Sequence, residues 1–140
     1  MIRSVVTFSV AGVLGIGGVV AVAGPANAAY SYEWDEGALS SGPTTTNGCS
    51  LGGYAMACFQ PSGDKIYVFD ASSDGASAVM RWYTDYGRWG TCRNAHKAGT
   101  WAVCNKDFAE GHTIHFHADQ YDGETKSWVE TPGPNESMTT

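Results

Sequence analysis

Basic side chains are scarce in this sequence. Lysine and arginine number 8 against 14 aspartates and glutamates, a formal net charge of −6. Such a chain repels phosphate backbones, which excludes nucleic acid as a partner and leaves solubility as the use of the charge. Helical periodicity is missing as well. No long stretch carries apolar residues at the helical spacing, so little helix is predicted. The familiar signatures of chemistry are also missing. There is no Gly-x-Ser-x-Gly and no Cys-x2-Cys pair, so neither a serine nucleophile elbow nor a common zinc module is expected. No enzyme activity, cofactor or metal is expected from these residues.

What is present begins with a leader. Arg3 gives a short positive start, Val5 to Val22 is apolar or small apart from Thr7 and Ser9, and Ala26-Asn27-Ala28 offers a small-x-small cleavage site. This is the layout of a helical secretory signal peptide spanning residues 1–28. Its many glycines and the helix-breaking Gly24-Pro25 argue against a lasting membrane anchor. The reading is therefore a secreted, extracellular monomer of one small domain. Loss of Arg3 makes the mature chain one unit more acidic.

The four cysteines, Cys49, Cys58, Cys92 and Cys104, all lie beyond the leader. In an exported protein an even set should be oxidised in pairs. Three connectivities exist on paper. Nearness in sequence favours Cys49–Cys58 and Cys92–Cys104, each worth roughly 3 kcal/mol in the chain-entropy model.

Segment by segment the pattern is β. Residues 29–48 contain the Gly-, Ser- and Thr-rich run Gly37 to Gly48 and read as a flexible N-terminal segment. Residues 49–130 read as a disulfide-bonded β domain, and 131–140, "TPGPNESMTT", as a disordered tail. Within the domain, Lys65–Phe69, Ala76–Thr84, Arg88–Asn94, Thr100–Lys106, His112–Gln120 and a short edge at Lys126–Glu130 are predicted strands. Asp70 to Gly75 reads as a hairpin loop, and Cys92 and Cys104 as facing each other across a second hairpin. The predicted fold is all-β, a small antiparallel sandwich or barrel of about six to eight short strands.

Two clusters carry candidate chemistry. In "HTIHFHAD", Ile114, Phe116 and Ala118 share one strand face while Thr113, His115, His117 and Asp119 share the other. That alternation reads as a core face and a hydrated polar face. A His-x-His metal site completed by Asp119 is the rival, for which the sequence places no third ligand. Asp70 to Gly75 begins like a calcium-binding loop, but Arg81 stands where the bidentate carboxylate belongs, so a plain turn is expected. Trp82, Tyr83, Tyr86, Trp89 and Trp101 crowd together in sequence, with Tyr67, Trp34 and Trp128 elsewhere. They serve either core packing or an exposed face that stacks on sugar rings or grips a protein. Trp82, Tyr83, Trp89 and Trp101 are the candidate binding residues.

Three runs, "ACFQPSGDKIYVFD" (Ala57–Asp70), "DGASAVMRWYTDYGR" (Asp74–Arg88) and "GTWAVCN" (Gly99–Asn105), resemble a group of small uncharacterised secreted proteins of Streptomyces-type actinobacteria. The resemblance implies export and a disulfide-bonded β domain. It transfers no activity and no site. Gly48, Cys49 and Cys58 also resemble the two-cysteine start of secreted actinobacterial protease inhibitors with a crystallin-like fold, at a longer spacing. The functional expectation is a non-catalytic β module whose partner is an extracellular protein or a cell-wall glycan. The alternatives are a secreted inhibitor of a protease or glycosidase, presenting Tyr83–Arg93, and a small metal-dependent protein or enzyme using His115, His117 and Asp119.

Overall fold

The computed structural model describes residues 29–140, and the predicted signal peptide lies outside the described residues. Among the described residues eleven strands build two sheets. Sheet A contains β1 (Glu33–Glu36), β6 (Ala76–Thr84), β7 (Trp89–Arg93), β9 (Thr113–Asp122), β10 (Ser127–Trp128) and β11 (Glu136–Thr139). Its order is β1-β7-β6-β9, with β10 and β11 sharing the far edge of β9. Sheet B contains β2 (Ala38–Ser40), β3 (Ser50–Gly52), β4 (Ala55–Gln60), β5 (Lys65–Asp70) and β8 (Thr100–Asn105), in the order β2-β8-β5-β4-β3. The all-β sandwich is as the alternation predicts, with more strands than expected and with β1 paired in parallel to β7.

The sheets face each other through alternate side chains. Ala55, Ala57, Phe59, Ile66 and Val68 from sheet B meet Ala78, Met80, Trp82, Ile114, Phe116 and Ala118 from sheet A. Small residues stand among large ones, which lets the two layers interdigitate. Each fully buried large side chain contributes about 1.5–3 kcal/mol relative to exposure. Phe108, from the link between β8 and β9, packs edge-on against both Phe59 and Trp82.

Both predicted disulfides are present. Cys49–Cys58 staples the β3–β4 hairpin. Cys92–Cys104 differs from its predicted setting: β7 belongs to sheet A and β8 to sheet B, so the bond joins the two layers instead of closing a hairpin. The link from Asp70 to Gly75 is likewise not the hairpin loop expected. It carries the chain from β5 in sheet B to β6 in sheet A, and Asp70 Oδ1 and Asp74 Oδ1 accept the Ser72 and Ala76 N–H groups. Alternation fixes which residues share a face, but not which sheet receives the strand.

Both ends of the described chain are ordered, against expectation. Residues 131–140 are not a disordered tail: β11 pairs antiparallel with β9, Ser137 opposite His115, and Gly133 N–H donates to Ala118 O (2.8 Å). Residues 29–48 are not a loose segment, because β1 lies on β7 and β2 on β8. Both segments are poor in apolar residues. Their order comes from sheet edges far away in sequence, which local composition does not report.

Candidate functional site

The outer face of sheet A carries the aromatic residues. On β6 the alternation sends Trp82 to the core, 3% exposed, and sends Arg81 and Tyr83 outward. On β7, Trp89 sits opposite Tyr83. These two rings are about half exposed, Tyr83 at 51% and Trp89 at 48%. The parallel strand β1 adds Trp34 beside Thr91. Tyr32 just before it hydrogen-bonds Thr91 Oγ1 (2.5 Å) and lies 4.6 Å from the Trp89 ring. From the far edge, Trp128 on β10 pairs with Tyr121 on β9.

Strands β1 and β9 are three strand spacings apart, about 14 Å. Yet the rings of Trp34 and Tyr121 are 4.8 Å apart, and those of Trp34 and Trp128 are 6.1 Å apart. The side chains therefore lie along the sheet rather than standing on it. They cover Val79 and Thr91, outward-facing residues that are fully buried. Beside this layer, a cleft of about 140 Å³ opens among Tyr32, Arg81, Tyr83, Trp89 and His117. Trp82 and Gly90 point to the core, so only their backbone can floor it.

The polar row of β9 borders the cleft. His115 stacks on Tyr83 at 4.7 Å, and its Nδ1 is hydrogen-bonded to Ser137 Oγ (2.7 Å). His117 stands opposite Arg81, and its Nδ1–H donates to Asn135 Oδ1 (3.1 Å). Burial, with the Arg81 guanidinium alongside, holds the His117 imidazole below its ordinary range, so it is neutral at neutral pH. Asp119 is not a solvent-facing ligand as the alternation suggests. It is 1% exposed, and its Oδ1 accepts the Gln120 and Thr131 N–H groups (2.8 and 3.1 Å). No three His, Cys, Asp or Glu side chains converge to hold a metal among the described residues.

Of the four predicted binding residues, Tyr83 and Trp89 are brought together here. Trp82 is a core residue, a result foreshadowed by its sharing a strand face with Ala78 and Met80. Trp101 belongs to sheet B, where it packs on Phe69 (5.1 Å) and under Gly42, whose added Cβ would lie 2.9 Å from the indole. Tyr32, Arg81 and Tyr121 complete the face and were not singled out by sequence. Tyr32 arrives through a parallel pairing that carries no local signal, whereas Arg81 shares a strand face with Tyr83 and was findable from parity. Comparison with protein-family models, curated proteins and solved structures finds no match.

Proposed function

We infer that this chain is an exported, non-catalytic module that binds a glycan of the cell surface through the outer face of sheet A. Export is supported by the leader pattern and by the two disulfides, which suit an oxidising compartment. The resemblance to secreted actinobacterial proteins points the same way. The observation that carries the binding reading is the cleft between exposed ring faces, with Tyr32, Trp89 and Tyr83 beside an arginine and a histidine. Sugar rings present C–H faces that pack on aromatic planes and hydroxyls that need polar partners, and this cleft supplies both. An inhibitor would offer a protruding bait. Here the Thr84–Arg88 turn is tied down, with Arg88 N–H donating to Thr84 Oγ1 (3.0 Å), and the rings lie on the sheet instead.

Tryptophan fluorescence of the purified protein, titrated with cell-wall polysaccharide, should change and saturate. Trp89→Ala should weaken the binding by about tenfold or more, the scale of an aromatic anchor. No change with any polysaccharide, together with a saturable change on adding secreted hydrolases, would replace the glycan by a protein partner.

A further inference from the structure

Arg81 stands in the middle of the outer face of sheet A. Its guanidinium lies over the Trp128 ring, 4.4 Å from the centroid, and its side chain is 43% exposed. Its nearest anion is Asp119 Oδ2 at 3.5 Å, beyond hydrogen-bonding reach for an N–H···O pair. Among the described residues Arg81 donates no hydrogen bond, unlike the other two described arginines. Arg88 donates to Glu33 and to Asp107 O, and Arg93 donates to Ser77 and Glu36. So one arginine is held by an indole at the cleft, its planar fork of donors lacking an acceptor.

We propose that Arg81 receives the carboxylate of an acidic sugar residue, set within an otherwise neutral glycan that stacks on Trp89 and Tyr32. This rests on the glycan-binding reading above and names the class of sugar. The guanidinium fork matches a carboxylate with two parallel N–H donors. Stacking on Trp128 already restricts the side chain, so little rotamer freedom is lost on binding. The charge balance favours a single acid. Arg81 is the one permanent cation lining the cleft, Asp119 stands behind it, and the chain as a whole is at −6. A polyanion or a doubly charged phosphate would meet net repulsion, whereas an isolated carboxylate meets one partly neutralised cation.

The test uses calorimetric titration of the intact, disulfide-bonded protein with a xylo-oligosaccharide bearing one glucuronic acid, and with the same oligosaccharide after its carboxyl is reduced to the alcohol. The acid form should bind about tenfold tighter, the factor that one charge-assisted hydrogen bond supplies. Arg81→Gln should bind the two forms alike, and Arg81→Lys should keep part of the preference because a point charge remains. Circular dichroism checks that both variants are folded. Equal binding of the two forms by the unaltered protein, or a preference that survives Arg81→Gln, overturns the role of Arg81 and leaves glycan binding standing. If neither form binds, and cell-wall polysaccharide fails as well, the glycan reading falls and the acidic-sugar inference falls with it.

Discussion

Asn94 joins the two sheets through its side chain. It is fully buried just past β7, its Nδ2 donates to Val68 O (3.1 Å) and Thr100 O (2.8 Å), and its Oδ1 accepts the His96 N–H (3.0 Å). Asn94→Ala would take a donor from the buried Val68 carbonyl and break the part-buried bonds to Thr100 O and the His96 N–H, a loss of about 1–3 kcal/mol. Asn94→Asp should cost more, because a carboxylate can only accept and would face two acceptors. Urea unfolding with an unchanged m-value would read both losses as stability. Gly90 works by having no side chain. An added Cβ would lie 2.5 Å from Glu33 O and 2.9 Å from the Trp82 ring, and the backbone oxygen cannot step aside without moving β1. Gly90→Ala should therefore cost about 1–3 kcal/mol and weaken the glycan binding proposed for sheet A together with stability, since β1 carries Trp34 and leads from Tyr32. Full affinity in a destabilised Gly90→Ala protein would separate β1 from the site.

The two disulfides close loops of similar length, with sequence separations of 9 and 12, so chain entropy alone predicts nearly equal stabilisation. Their places in the fold differ. Cys49–Cys58 lies beside a hairpin already held by the β3–β4 ladder. Cys92 and Cys104 sit among core residues and join opposite sheets. Replacing both by alanine in the second pair removes the only disulfide between the layers among the described residues, and some core volume with it. The Cys92→Ala, Cys104→Ala protein should therefore lose more stability than the Cys49→Ala, Cys58→Ala protein, by about 1 kcal/mol or more; parallel urea melts decide it. The same contrast shows what a sequence discloses about elements. β5, β6, β7, β8 and β9 were legible because one face of each packs on the core and leaves a period of two. β1, β2 and β11 were not, since their residues gain order from ladder hydrogen bonds to distant edges and not from their own burial. The site was legible to the same extent. Tyr83 and Trp89 come from one hairpin, whereas Tyr32, Tyr121 and Trp128 reach them only through strand order.

At the scale of the whole sandwich, the two long edges are closed by different chemistry. At one edge, Ser50 Oγ–H donates to Pro134 O (2.7 Å) and accepts the Ala118 N–H (2.9 Å), a neutral clasp between β3 and β9. At the other, Glu33 and Asp35 of β1 face Lys106, just past β8. Lys106 Nζ lies 2.5 Å from Glu33 Oε2 and 2.5 Å from Asp35 Oδ2, and Arg88 Nε lies 2.5 Å from Glu33 Oε1. The Ser50 clasp itself carries no titrating group, whereas the ionic edge responds to acid. Burial alone would raise the Glu33 carboxyl, but the hydrogen bonds and charges of Arg88 and Lys106 outweigh it and hold it below its ordinary 4.5. The folded protein thus binds this proton less readily than the unfolded chain does. Its contribution is fully present above pH 4.5 and is lost as pH falls through the lower folded value. Asp70 opposes it, because burial raises that carboxyl above its ordinary 3.8 in the folded chain, so its protonation favours the fold. Amide exchange can tell the two apart, since Glu33 sits on β1 and Asp70 at the end of β5. On acidification through the carboxylate range β1 should open before β3, whose clasp does not titrate. Glu33→Gln should flatten the acid limb of the stability curve. Lys106→Met, which leaves the exposed Asp35 without its cation and Glu33 with Arg88 alone, should cost about 1 kcal/mol at neutral pH and should lose less on further acidification than the unaltered protein. If β3 exchanges as early as β1, the molecule opens as one unit, and the ionic edge does not set the order of its opening.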